Sequence, residues 1–178
     1  MIKLDYLPYV PAACKSSRNG TKITHIVIHA MQGYYGQQGK SGTIFWFQNP
    51  KSRVSAHYLV SKKGEITCMV KDDLKAWAAG DFNPQSLNIE LEDMSLGVKG
   101  DCKTLKHWWT DAELKAAAEL TATLMLKHKI PLTNVIGHND KLLREHFGST
   151  HEDPGPAFPW PDFKALIQGY LDDGSKPK

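Results

Sequence analysis

Hydrophobic positions along this chain are spaced in two ways, at every second residue in some segments and at helical intervals in others. Residues 24–29 form the first strand-like run, because β-branched apolar side chains there are bounded by turn-prone sequence on both sides. We predict a buried strand that ends at His29. Residues 55–61 and 65–70 are two further apolar runs, and the short turn 62–64 between them predicts a β-hairpin.

Two more strands are predicted later in the chain. Residues 87–92 alternate apolar and polar side chains, so a period of two places the apolar ones on one face. The opposite face carries three polar side chains: Asn88, Glu90 and Glu92. Residues 134–137 predict a short buried strand that leads directly into His138. Both strands therefore deliver candidate functional side chains.

Three segments have helical spacing. The clearest covers residues 111–127, where Thr110 is suited to cap the N-terminus and Glu113 completes a capping box. Residues 161–171 predict a closing helix with proline in its first turn. Residues 41–47 predict a short helix that a following proline stops.

Strands that alternate with helices, together with one hairpin, predict the α/β class with a central mixed β-sheet flanked by helices. The length of 178 residues and the 41% hydrophobic content fit one domain over residues 1–178, with its core at about 23–171. The polar C-terminal residues 172–178 are expected to fray.

Charge and composition exclude several classes of function. Lysine and arginine residues are scattered and give a formal net charge of +3 without a basic block, so we expect no nucleic-acid partner. No apolar run approaches the roughly 20 residues that cross a bilayer, and the N-terminus lacks the apolar segment of a secretion signal. We therefore expect a product of the cytoplasm, monomeric and without stable membrane association. Cys14, Cys68 and Cys102 are too few and too dispersed for a disulfide framework, and we interpret them as reduced thiols.

Candidate chemistry is concentrated at the ends of two strands. His29 and His138 each follow a short buried run, and the turn-rich residues 148–155 carry His151 and Asp153 close to the second of them. Two imidazoles with a carboxylate or a third imidazole, and an open position for water, are the ligands of a catalytic zinc. The alternative is that both histidines are ordinary strand-end residues bonded to backbone. Spacing alone does not decide between the two.

Five sequence motifs, taken together in their order along the chain, indicate the function more specifically than any one of them alone. They are HIVIHAMQG (25–33), SAHYLVSKKGEI (55–66), AWAAGDFNPQSLNIELE (76–92), IGHND (136–140) and THEDPGPAFPW (150–160). This ordered set resembles the zinc-dependent N-acetylmuramoyl-L-alanine amidases, the family of phage endolysin amidases that is also related to peptidoglycan recognition proteins. The resemblance implies that His29, His138 and Asp153 hold Zn²⁺.

The same resemblance implies roles for further residues. Glu90 matches the general base, with Glu92 on the same face as the reserve candidate. His151 stands where the family commonly has lysine, and an imidazole there would stabilise an oxyanion by donating an N–H. The gap between the second and third ligands looks long, so His146 or His151 could compete with Asp153.

Several smaller features lie near these motifs. Tyr34 and Tyr35 follow the first ligand and are candidate contacts for a sugar or a peptide. Trp77 is interpreted as core packing, and Ala78 stands where relatives often have histidine. His57 is left outside the metal set.

The implied activity is hydrolysis of the amide between N-acetylmuramic acid and L-alanine in bacterial peptidoglycan. The absence of a signal favours a phage endolysin that is made in the host cytoplasm and acts on the wall after release. Two alternatives stay open: a cytoplasmic amidase that recycles muropeptides, and a peptidoglycan-binding module without catalysis.

Overall fold

The computed structural model describes residues 1–31, 33–93 and 109–174, and within them seven strands and four α-helices. The strands are β1 Lys15–Ser17, β2 His25–Ala30, β3 Tyr58–Val60, β4 Ile66–Cys68, β5 Leu74–Ala76, β6 Ser86–Leu91 and β7 Val135–Gly137. The α-helices are α1 Gly42–Gln48, α2 Asp111–His128, α3 Lys141–Phe147 and α4 Trp160–Gly174. Short 3-10 helices cover Leu4–Tyr6, Pro50–Ser52, Gly80–Gln85 and Leu132–Asn134.

Five of the strands form a mixed sheet in the order β4-β3-β6-β2-β7. The pairs β3–β6, β6–β2 and β2–β7 are parallel, and β4 runs antiparallel to β3 in the predicted hairpin. Strands β1 and β5 form a separate antiparallel ribbon. The predicted α/β fold with a central mixed sheet is confirmed.

The two faces of the sheet have different coverings. Ile26, Ile28 and Leu87 belong to a core cluster that α2 and α4 complete. Val27 points to the other face and packs with residues near α3, including Phe82. Because side chains alternate along a strand, the polar positions of β2 and β6 also lie on this second face.

Helices α1, α2 and α4 lie at the predicted positions within a few residues, and α3 is an addition. Thr110 Oγ1 accepts the Glu113 backbone N–H at 3.1 Å, which caps α2 as expected. Helix α3 was not predicted, although Asp140 caps its first turn by accepting the Leu142 N–H at 2.8 Å. None of the described helices combines the length and hydropathy that a bilayer span requires.

Two further predictions from the sequence concern the C-terminal residues 172–178 and the cysteines. Residues 172–174 continue α4 rather than fraying, and residues 175–178 lie outside the described part of the chain. Cys14 and Cys68 are buried free thiols, in agreement with the sequence interpretation, and Cys102 lies outside the described residues.

Candidate metal centre and groove

Parallel pairing of β2 with β7 brings two histidines to the same edge of the sheet. His29 is the fifth residue of β2, and His138 directly follows β7. Their ring centroids are 4.6 Å apart, and both side chains are buried. Carboxyl ends of neighbouring parallel strands are the usual place for functional groups in α/β folds.

Asp153 reaches the two histidines from the segment between α3 and α4. Its Oδ2 lies 3.1 Å from His29 Nδ1, and its Oδ1 lies 3.3 Å from His138 Nδ1. Its backbone is held in place because the Asn139 N–H donates to its carbonyl at 2.9 Å. One ligand atom from each of the three residues lies within 4.8 Å of the others, and all three are buried.

The electrostatics of this cluster favour a positive charge on His29, whereas burial lowers the pKa of His138. Burial alone lowers the pKa of His29, but its hydrogen bond with Asp153 and the charge of Glu90 outweigh burial and raise the pKa to about 9. Burial alone raises the pKa of Asp153, but hydrogen bonds with His138 and His29 leave that pKa well below its usual range. A proton on His29 therefore compensates the buried carboxylates, and a metal cation would do the same.

The residues present fit a zinc ion. Two imidazole nitrogens and one carboxylate oxygen are a donor set of catalytic zinc sites, which keep a further position open. Both nitrogens are Nδ1 atoms that already converge on one buried carboxylate. His29 and His138 therefore lie together with Asp153, as the resemblance implies.

Glu90 lies beside the cluster because β2 and β6 are in register, with His29 opposite Glu90. Its Oε2 is inaccessible to solvent and has no hydrogen-bond partner among the described residues. Burial raises the pKa of Glu90 to about 7, the nearby carboxylates Asp153 and Asp93 add to the rise, and His29 opposes it. A carboxyl that has one oxygen without a hydrogen-bond partner among the described residues, and a pKa near neutrality, is suited to accept and return a proton.

Glu92, the reserve candidate, is occupied elsewhere. Its Oε1 accepts the Tyr35 N–H at 2.9 Å, and its Oε2 accepts the Lys62 N–H at 2.8 Å. The carboxylate thus fastens two loops of the backbone to the end of β6.

His151 lies at the exposed side of the centre. Its ring stacks on His138 with centroids 4.0 Å apart, and its Nδ1 is 3.6 Å from Asp153 Oδ1. Its side chain is 62% exposed, so it faces the space that a substrate would enter. His146 is an exposed residue of α3 and is not part of the ligand group.

The two tyrosine candidates do not line this centre. Tyr35 is half-buried, and its hydroxyl lies 2.6 Å from Thr67 Oγ1, where it packs against the core beside α1. Tyr34 is exposed, and its carbonyl accepts the Thr43 N–H at the start of α1.

A groove of about 250 Å³ opens over the metal centre. Its lining includes the titratable residues His29, Glu90, His138, His151 and Asp153. It also includes the apolar residues Met31, Trp46, Phe47, Val54 and Trp77. Trp77 was expected to pack in the core, but it borders this groove, with its Nε1–H donated to Ser16 Oγ at 3.0 Å. Trp46 was missed, because a tryptophan on a short apolar helix is more often a core residue.

Comparison with known protein families identifies the class to which this fold and site belong. The model of a family described as N-acetylmuramoyl-L-alanine amidase matches residues 19–156. The chain belongs to this family and is an amidase.

Individual relatives agree with that assignment. N-acetylmuramoyl-L-alanine amidase A of Achromobacter lyticus is 32% identical over 163 residues, which cover 81% of this chain and 82% of the relative. The 1,6-anhydro-N-acetylmuramyl-L-alanine amidase AmpD of Salmonella typhimurium is 37% identical over 116 residues, which cover 65% of this chain and 58% of the relative. A crystal structure of an AmpD derivative has a TM-score of 0.67 and 26% identity, covering 90% of this chain and 94% of the other.

Proposed function

We propose that this amidase hydrolyses the amide between N-acetylmuramic acid and L-alanine, using Zn²⁺ held by His29, His138 and Asp153. The observation that carries the proposal is the convergence of these three buried ligands beside Glu90, in a groove that apolar side chains also line. The names of the two sequence relatives support this choice of bond.

Bound zinc would polarise a carbonyl oxygen and lower the pKa of a bound water. The chain supplies the proton transfers. Glu90 accepts the proton of the attacking water at its carboxylate and returns it to the departing L-alanine amine. His151, at the open side of the centre, donates an N–H to the amide oxygen as negative charge develops there. Apolar residues that line the groove, among them Trp46, contact the bound substrate.

The test compares Glu90→Gln with the matched variant Glu152→Gln. Glu152 belongs to the same loop as the third ligand, but its carboxylate pairs with Arg144 at 2.8 Å and is half-exposed. Release of L-alanine amino groups from purified peptidoglycan should fall about 10²–10⁴-fold in Glu90→Gln and little in Glu152→Gln. Zinc content should stay near one ion per chain in both variants.

Chelation supplies the second arm of that test. Removal of metal should abolish release of amino groups, and return of zinc should restore it. A metal-free protein that binds the wall without cutting it would show that this chain is a recognition module. Equal turnover in wild type and Glu90→Gln would remove Glu90 from the mechanism.

The biological setting is a separate part of the proposal. The phage endolysin role, with action on the wall after release from a host cytoplasm, stays a prediction. The relatives named 1,6-anhydro-N-acetylmuramyl-L-alanine amidase favour the alternative, an enzyme that cleaves soluble anhydro-muropeptides. Rates on intact peptidoglycan and on a purified anhydro-muropeptide distinguish them: an endolysin clears walls, whereas a recycling enzyme prefers the soluble substrate by a large factor.

The remaining expectations belong to the same proposal. We propose one domain over residues 1–178, a monomer and no nucleic-acid partner. Molecular mass by light scattering tests the oligomeric state directly.

A further inference from the structure

A buried amide lies directly behind the first metal ligand. Asn88 Oδ1 is 3.0 Å from His29 Nε2, the ring nitrogen that points away from Asp153. The other end of the amide is fixed as well, because Asn88 Nδ2 donates to Ser86 Oγ at 3.2 Å. Asn88 and Ser86 are both fully buried. Three residues thus form a hydrogen-bonded row from the metal centre into the sheet.

The register of the sheet explains why this amide reaches the ring. Asn88 lies opposite Val27 and Glu90 lies opposite His29 in the parallel pair of β2 and β6. Asn88 and Glu90 are two residues apart and share one face of β6. The ring of His29 therefore lies close to both the Asn88 amide and the Glu90 carboxyl.

The backbone of Asn88 is equally fixed. Its N–H donates to His57 Nδ1 at 3.0 Å, and its carbonyl accepts the His57 N–H at 3.0 Å. His57 is itself fully buried. The amide side chain thus projects from a point of the sheet that has little freedom to move.

We propose that Asn88 is a positioning residue that holds His29 in the tautomer required for metal binding; this inference rests on the metal centre proposed above. An amide oxygen only accepts hydrogen bonds, so the proton of the neutral imidazole must be on Nε2. The lone pair of Nδ1 is then directed at Asp153 and at the metal. Ser86 Oγ accepts the Nδ2–H in this orientation of the amide. A turned amide would place Nδ2 against the imidazole Nε2–H, and two donors would then face each other.

The experiment compares Asn88→Ala with Asn88→Asp. Alanine removes the acceptor, whereas aspartate keeps an oxygen at the same distance along the side chain. Zinc affinity, measured by competition with a chromogenic chelator, should fall about 10–100-fold in Asn88→Ala and stay within a few-fold of wild type in Asn88→Asp. Ser86→Ala should give a smaller loss than Asn88→Ala, because it only loosens the amide.

A second readout does not depend on turnover. In the zinc-loaded protein, the Nε2–H proton of His29 should be visible by NMR as a slowly exchanging, hydrogen-bonded signal. Asn88→Ala should lose this signal or shorten its lifetime, and Asn88→Asp should retain it. Thr121→Val, which removes a buried hydroxyl from α2 in another part of the core, serves as the control for reduced stability alone.

The possible failures are distinguishable. Wild-type zinc affinity and an unchanged signal in Asn88→Ala would overturn the role of Asn88 and leave the proposed function intact. Equal losses in Asn88→Ala and Asn88→Asp would overturn it too, because the acceptor would not be what matters. Absence of zinc binding in the wild-type protein would overturn the proposed function and, with it, the role of Asn88.

Discussion

Replacing the buried carboxyl of Glu113 by an amide should make this protein more stable, and increasingly so as the pH rises. Glu113 is fully buried near the start of α2; its Oε2 lies 3.2 Å from Lys62 Nζ, and its Oε1 has no hydrogen-bond partner among the described residues. Burial raises the pKa of Glu113 from 4.5 to about 7, and Lys62 reverses only part of the rise. Ionisation is therefore unfavourable in the folded chain and easier in the unfolded one.

The sign and the size of this change in stability follow from the difference between the folded and unfolded pKa values of Glu113. A carboxyl whose pKa is higher in the folded state stabilises the fold fully below pH 4.5, and that contribution is lost as the pH rises through about 7. The difference between the two pKa values corresponds to about 3 kcal/mol. Glu113→Gln resembles the protonated carboxyl at every pH, so it should match wild type near pH 4 and exceed it by about 3 kcal/mol near pH 8.

Urea unfolding of metal-free protein at these two pH values measures the effect. The variant Glu145→Gln makes the same substitution at a half-exposed carboxylate of α3 and corrects for the change in net charge. A Glu113→Gln advantage of the same size at both pH values would refute the reasoning, since the carboxyl would then not titrate differently in the two states. A disadvantage at pH 8 would show that the ion pair with Lys62 outweighs the cost of burial.

Three further predictions concern activity and stability. The kcat/KM of the zinc-loaded enzyme should rise with pH, and the midpoint of this rise should lie no higher than about pH 7. Burial raises the pKa of Glu90 to about 7, and a bound cation lowers that pKa again. A midpoint well above pH 7 would contradict this prediction. Arg18→Lys should lower the free energy of unfolding, measured by urea titration, by about 2–4 kcal/mol. The buried guanidinium donates to four backbone carbonyls, and a single ammonium group cannot reach all of them. A loss under about 1 kcal/mol would contradict this prediction. Trp46→Ala should raise KM more than it lowers kcat, since Trp46 lines the groove beside the candidate metal ligands. Phe45→Ala should leave both nearly unchanged, because Phe45 is an exposed aromatic residue of α1 outside the groove lining. Equal effects of the two variants would remove Trp46 from substrate binding.

The site was predictable from the sequence where it depends on strand periodicity. Alternation along β6 placed Asn88, Glu90 and Glu92 on one face, and the structure keeps Asn88 and Glu90 on the face that carries His29. What separates Glu90 from Glu92 is not periodicity but the partners at the end of the strand, since Glu92 is engaged by two backbone N–H groups. Those partners come from distant loops, which a single sequence does not place.

Side chains on loops and short helices were harder to predict. Tyr35 and Trp46 are both aromatic residues near the first ligand, yet Tyr35 turns toward Thr67 and Trp46 toward the groove. Their directions follow from how the loop and α1 pack on the sheet, not from local spacing. Helix α3 was missed for a related reason, because seven residues between a capping aspartate and a glycine give too short a periodic pattern.

The wide separation of the three ligands along the chain also has a consequence for stability. His29 belongs to β2, His138 follows β7, and Asp153 lies 124 residues beyond His29. One ion bound to all three would cross-link the first strand of the main sheet to the last third of the described chain. Because all three ligands come together only in the folded chain, free zinc at about 100 times its dissociation constant would raise the free energy of unfolding by about 2.7 kcal/mol. The same ion would thus serve catalysis and also oppose separation of β2 from the segments that carry His138 and Asp153.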